Sequence, residues 1–416
     1  MRLTLKLTIL AGFLFWGACT SDAAKEAVQA EAPELSPELQ ARVAFISTLF
    51  DKDKIVDNFL NLDQRIEVRT IEAAPQASVL EYADEGFVLP ETFVSRDSVM
   101  NTRDFMDVTQ STGMLVYHNG KIIYEEYQRG MTDTTTHISW SMAKSVVSLL
   151  MGIAIDEGLI ESEADPVTKY VPLLKGSAYD GVTIKQCLQM SSGVRFDETY
   201  GDPNSDITRF SKSLALNMPF ADFILTLERE REPGTYNHYV SMDTQVLGMV
   251  IDEAIGEKTL SDYLKEKIWD PAGMEHAARW IVDSKGMEMA LGGLNITLRD
   301  YARLGLIFLN KGDYEGKRIV SEAWLEKSVT PDAPHLQPGE NPLSSSLFGY
   351  GYQLWLPIQP NGGDFFLAGI YNQYIYIHPE KNLMIVKTSA NPNFTSKSDH
   401  SKENYIDLFQ SIAKAF

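Results

Sequence analysis

The chain has 416 residues, 44% hydrophobic and 23% charged, a balance that supports a globular body with one large core or two lobes and excludes general disorder. Its formal net charge of −20 repels nucleic acid and anionic lipid, and no basic run or interleaving of aromatic with basic residues offsets it. No internal repeat is visible.

Arg2 and Lys6 give the chain a positive start, and Leu7 to Trp16 is almost wholly apolar. That run is too short to span a bilayer, so residues 1–19 read as a secretory signal. It ends in Trp16-Gly17-Ala18-Cys19, which resembles a bacterial lipoprotein cleavage box whose cysteine is lipidated; a plain signal peptide with an incidental cysteine is the alternative. Thr20 stands where an aspartate would favour inner-membrane retention. The lipoprotein reading therefore implies an exported protein on the periplasm-facing outer membrane, in contact with lipid only through Cys19. Residues 20–35, rich in Ala, Glu and Pro, read as a flexible tether.

From Leu39 to Leu62 apolar residues recur at helical spacing, and the span 36–105 is expected to form an N-terminal helical extension. The main domain, expected over 106–400, opens with a hairpin: two alternating runs, Gly113 to His118 and Lys121 to Tyr127, flank Asn119-Gly120. A helix is predicted from Ser141 to Glu157, with Gly158 as its C-cap. Helical segments follow to about residue 275, then a helix from Leu298 to Asn310. Strands are predicted over Gly349–Trp355, Asp364–Ala368, Gln373–His378 and Leu383–Thr388, before a closing helix, Glu403–Ala415, within 401–416. The pattern predicts an α/β lobe from about 106–140 and 280–416, with an α lobe of about 141–279 inserted and a small-molecule cleft between them. Cys187 lies in an apolar helical stretch and reads as a core residue.

Chemistry concentrates at Ser141-Met142-Ala143-Lys144. Three residues apart on a helix, a hydroxyl and an amine share one face. A serine attacks only when something takes its proton, and a lysine can do so once burial or positive charge lowers its pKa. The four-residue pattern alone is weak, and a capped surface helix is the competing reading. Val146, Val147, Leu149, Leu150 and Ile153 tip the balance, because they make the helix a buried one with the serine at a cleft floor.

With these residues the chain resembles the class C β-lactamase and penicillin-binding protein superfamily, and within it the branch of 6-aminohexanoate-dimer hydrolases and related esterases. The resemblance runs from about residue 110 to 400. It rests on His137 to Ser145, Asp165-Pro166-Val167 with Tyr170-Val171-Pro172, and Met190-Ser191-Ser192-Gly193. It continues with Ile268-Trp269-Asp270-Pro271, Gly292 to Thr297 and Asp300 to Gly305. It implies a β-lactamase/transpeptidase-like fold, an antiparallel sheet flanked by helices with an inserted, mainly helical lobe. The family's second motif falls on Tyr239 and Ser241, with Tyr236 as a rival tyrosine; such a phenol is either held partly as phenolate by the lysine or relays a proton to the leaving group. The third motif's place is taken by Leu367-Ala368-Gly369, without the lysine or histidine that grips a β-lactam carboxylate. Its backbone remains, so the N–H groups of Ser141 and Ile370 are the implied oxyanion hole. Tyr200, Asn295 and Trp355 match substrate-contacting positions: a hydrogen-bond donor over the cleft, a holder of substrate amide or carboxylate, and an apolar wall.

The resulting expectation is a serine hydrolase that needs no metal or cofactor and acts on a small-molecule amide or ester. The seven histidines include no H-E-x-x-H, no G-x-S-x-G elbow surrounds a serine, and the glycine pairs at 292–293 and 362–363 lack the lysine of a phosphate loop. Two other readings stand beside it: a D-alanyl-D-alanine carboxypeptidase or β-lactamase, weakened at the third motif, and a non-catalytic envelope binding protein.

Overall fold

The computed structural model describes residues 35–416 except 397, so the signal expected over 1–19, lipidation at Cys19 and all but the last residue of the 20–35 tether lie outside the described residues. Alternating apolar residues in the two end regions of the described chain build one seven-stranded antiparallel sheet. Its strands are β1 (Ser111–His118), β2 (Lys121–Tyr127), β3 (Gly349–Tyr350), β4 (Trp355–Leu356), β5 (Phe365–Gly369), β6 (Gln373–His378) and β7 (Leu383–Ser389). Their order is β3-β4-β5-β6-β7-β1-β2, and the β7–β1 pair, with Val386 opposite Leu115, joins the two regions. Asn119 and Gly120 link β1 to β2 at positive φ, 48° and 89°, as a type I′ turn requires.

Six helices position the site: α1 (Pro37–Ser47), α2 (Met142–Asp156), α3 (Asp206–Ala215), α4 (Ser241–Ile255), α5 (Leu298–Leu309) and α6 (Ser401–Ala413). The period of two along each strand sorts side chains between two helical layers. Met114, Val116, Tyr374, Tyr376 and Ile385 pack with Tyr405 and Phe409 of α6, whereas Leu115, Ile375, Met384 and Val386 join the core that includes Tyr301 and Leu304 of α5. Met142 through Ala154 of α2 are all buried, and α2 packs on α4 in the inserted lobe. The two-lobed α/β architecture is that expected, and no helix among the described residues is long and apolar enough to cross a membrane.

Two expectations need correction. The extension over 36–105 is helical only in its first part, through α1 and Ile55–Leu60; Val68–Ile71 is a strand paired with Ala278–Ile281, and Thr92–Ser95 with Ser98–Asn101 forms a hairpin. The β-branched Val68, Thr70 and Ile71, with Pro75 and Pro90 beyond, disfavour helix there. The strand beside them extends into a second antiparallel sheet through Leu294–Ile296 to His137–Ile138. Gly349–Trp355 is not one strand either. Gln353, at φ 61°, turns the chain between β3 and β4, because its buried amide donates to the carbonyls of Cys187 and Leu188 and accepts from the Thr244 hydroxyl.

Candidate active site

Ser141 is the residue from which α2 springs, and its hydroxyl makes no capping bond to the helix. The capped-surface-helix alternative therefore does not describe this serine. Trp140 before it adopts φ 43°, a left-handed conformation costing a non-glycine residue about 1–3 kcal/mol. The rings of Phe59 and Phe50, at 5.3 and 5.6 Å, clamp the indole in that conformation.

One turn along, Lys144 brings its Nζ to 3.0 Å from Ser141 Oγ and donates to the Leu291 carbonyl at 2.5 Å. Lys144 is 1% exposed, and burial pulls its ammonium down to about 7 against the opposing carboxylates of Glu198 and Asp243. Burial also pushes the Asp243 carboxyl up to about 8, which weakens its pull on the ammonium at neutral pH. A substantial share of Lys144 is then a free amine at neutral pH, within reach of a hydroxyl proton.

Tyr239 sits just ahead of α4, its ring 5.3 Å from Lys144 Nζ and its phenol in hydrogen-bonding relation to the Ser141 hydroxyl. Burial pushes that phenol well above its ordinary range, so at neutral pH it is a protonated donor and the phenolate alternative is disfavoured. The rival Tyr236 lies under the Arg231 guanidinium, 4.1 Å from ring centre to carbon, and lines neither cavity at Ser141.

Ile370 follows β5 directly. A Cβ on Gly369 would stand 2.3 Å from the Ser139 carbonyl oxygen, so only glycine lets the end of β5 come this close to the turn before Ser141. Tyr371 and Asn372, at φ 61° and 70°, reverse the chain into β6. Neither the Ser141 nor the Ile370 N–H donates to a protein acceptor among the hydrogen bonds of turns, loops and caps.

Two cavities meet here, each lined by Ser141, Tyr200 and Ile370: one of about 520 Å³ running between α1 and α3, and one of about 140 Å³ bounded by Tyr239, Trp355 and Ala368. Trp355 stacks on Tyr239, centroids 5.3 Å apart and planes at 21°, as an apolar wall would. The Tyr200 hydroxyl donates to Glu198 at 2.9 Å. Asn295 does not join them. It is 2% exposed, lines neither cavity and donates to the carbonyls of Arg279 and Gly293, both at 3.1 Å; its place inside the second sheet turns its amide to that sheet's backbone. Cys187 is buried, and burial pushes its thiol up, away from reactivity.

Two neighbours of the site, Glu198 and Lys402, escaped sequence reasoning, whereas Ser241 was already placed by the second motif. Glu198 accepts from the Ser241 N–H at 2.7 Å and so ties the Tyr200 loop to the start of α4; its place beside Tyr200 was the one available hint. Ser241 Oγ, buried and without a partner among the described residues, lines the larger cavity. Lys402, in the first turn of α6, lines the smaller cavity, its Nζ 3.3 Å from the Trp355 ring centre. Ser401-Lys402-Glu403 reads as the solvated start of a helix, so no local signal marks that lysine.

A family model described as Beta-lactamase matches residues 101–407. The chain belongs to the beta-lactamase family. This beta-lactamase-family chain is 28% identical over 310 residues to the 6-aminohexanoate-dimer hydrolase of Paenarthrobacter ureafaciens, covering 73% of the chain and 78% of that relative. Among solved structures it resembles a "Putative 6-aminohexanoate-dimer hydrolase from Bacillus anthracis", with TM-score 0.77, 24% identity and 88% and 95% of the two chains covered. A class C beta-lactamase superposes with TM-score 0.51, at 18% identity, over 74% of this chain and 96% of its own. The fold is thus beta-lactamase-like, and the family supports a hydrolytic enzyme.

Proposed function

We propose that the protein is a serine hydrolase cleaving small-molecule amide or ester bonds through an acyl-enzyme on Ser141, with Lys144 as base. The observation that carries this reading is the buried Lys144 amine 3.0 Å from an uncapped serine hydroxyl. In the proposed sequence Lys144 takes the Ser141 proton while Oγ bonds the substrate carbonyl carbon, and the N–H groups of Ser141 and Ile370 receive the oxygen's charge. The bond to the leaving nitrogen or oxygen then breaks as Tyr239 delivers a proton, replenished from Lys144. Water repeats the attack on the acyl group, its proton passing through Lys144 and back to Ser141, which restores both residues. Leu367, standing where the third motif would carry the lysine or histidine that grips a β-lactam carboxylate, favours other amides and esters over penicillins. The relative from Paenarthrobacter ureafaciens, a 6-aminohexanoate-dimer hydrolase, supports a small-molecule substrate.

A fluorophosphonate probe tests the nucleophile: labelling is expected on Ser141 and lost in Ser141→Ala, and a folded wild type that stays unlabelled rejects the reading. Lys144→Ala is expected to lower kcat by at least ~100-fold on a p-nitrophenyl ester, the lower range for loss of a general base.

A further inference from the structure

Resting on that serine-hydrolase reading, we propose that the substrate is a small anionic amphiphile, an N-acyl amino acid or the corresponding acyl ester. Its apolar acyl limb lies in the larger cavity, and Lys402 holds its carboxylate in the smaller one.

The two cavities share Ser141, Tyr200 and Ile370, so a carbonyl held at Ser141 sends one limb into each. Tyr239, the proton donor to the leaving group, lines the smaller cavity alone. That assigns the leaving amine or alcohol to the smaller cavity and the acyl limb to the larger. The larger cavity is walled by Ile46, Leu49 and Phe50 from the N-terminal extension and by Ile207, Phe210 and Leu214 of α3. Its one ammonium, Lys212, donates to the Pro203 carbonyl, so an alkyl or aryl chain is what the chamber solvates. At about 520 Å³ it has the size of a small-molecule pocket.

The smaller cavity, about 140 Å³, suits a head no larger than a small amino acid and is lined by two ionisable side chains, Glu198 and Lys402. Both oxygens of Glu198 are engaged, by the Tyr200 hydroxyl and the Ser241 N–H. Lys402 differs. Its Nζ stands over the rings of Trp355, Phe348 and Phe366 at 3.3, 4.5 and 5.7 Å, and among the described residues it donates to no oxygen. Aromatic faces hold the charge in place but offer its N–H groups no acceptor, and burial depresses the ammonium to about 7 with only Glu403 of its own helix opposing. An incoming carboxylate supplies the missing acceptor and charge at once.

The test compares kcat/KM for N-octanoylglycine, N-octanoylglycinamide and N-acetylglycine in wild type, Lys402→Met and Lys402→Arg, each checked by circular dichroism. The wild type is expected to favour octanoylglycine over its uncharged amide by at least tenfold. Met should bring that ratio near one through KM, and Arg should keep it well above one. Octanoylglycine should exceed acetylglycine by at least tenfold, since each methylene kept in the chamber is worth up to about fourfold. A wild-type ratio near one, an unchanged ratio in Lys402→Met, no gain with acyl length, or failure to cleave octanoylglycine and octanoyl glycolate alike overturns the proposal. If Ser141 is still labelled by fluorophosphonate in that event, the serine-hydrolase reading survives without it; if labelling also fails, both fall.

Discussion

At the scale of single residues, the proposed chemistry depends on an amine kept short of full protonation. With Lys144 near 7, about a tenth of it is neutral at pH 6 and about nine tenths at pH 8. In the proposed mechanism the free amine is the active form, so kcat/KM on an uncharged ester should rise with pH through an apparent pKa near 7 and level off above 8. An uncharged ester keeps Lys402 out of the profile. A flat profile across pH 6–8 would remove Lys144 as the titrating base. Tyr239 makes a second, separable claim. As a protonated phenol it matters in proportion to the leaving group's need for a proton, so Tyr239→Phe should cost an amide about 100-fold or more in kcat and a p-nitrophenyl ester far less. Equal losses on both would make it a packing residue. Asn295 is the contrast: Asn295→Ala removes the amide that donates to the Arg279 and Gly293 carbonyls, of which Gly293 still accepts from the Ile281 N–H, so it should cost about 0.5–1.5 kcal/mol per lost bond in unfolding free energy while the folded variant keeps kcat within a few-fold.

At the scale of elements, geometry is set where β5 ends against the turn preceding α2. Gly369→Ala would place a methyl 2.3 Å from the Ser139 oxygen, and relief requires either β5 or the Ser139–Ser141 turn to move. Either shift displaces one of the two proposed oxyanion donors, so kcat should fall by at least ~100-fold, the cost of one such donor, with ester KM changed much less. Full activity in Gly369→Ala would mean that the Ile370 N–H takes no part. This junction also shows what the sequence could and could not reveal. Ser141 and Lys144 were legible because both lie on one helix, where spacing alone fixes a shared face, and Tyr239 was legible through the motif around it. Ile370 and Trp355 needed a family pattern, because strands far apart in sequence bring them to the serine. That same transfer misplaced Asn295, whose amide the second sheet claims for its own backbone. Lys402 was illegible: a lysine in the first turn of a helix looks alike whether it meets water or a box of aromatic rings.

At the scale of the whole molecule, the long periodic segments announced the two-lobed plan, whereas the second sheet stayed hidden because its strands are only two to four residues long and carry too little pattern. That sheet matters because it ties the N-terminal extension to the body. Phe59, fully buried, contacts Trp140, Tyr371 and His137, and belongs to a core that runs without a break from the extension through α2 and α4 to β7. The extension is therefore part of the same cooperative unit as the candidate site, not an appendage to it. Phe59→Ala opens a cavity worth about 3–5 kcal/mol. In a continuous core that loss should lower a single calorimetric transition, with far-UV and near-UV signals moving together. It should also weaken catalysis in the folded state, since Trp140 and Tyr371, the strained residues beside the two proposed oxyanion donors, lean on that ring. A new low-temperature transition, with the main one and the activity unchanged, would show instead that the extension folds as a separate unit.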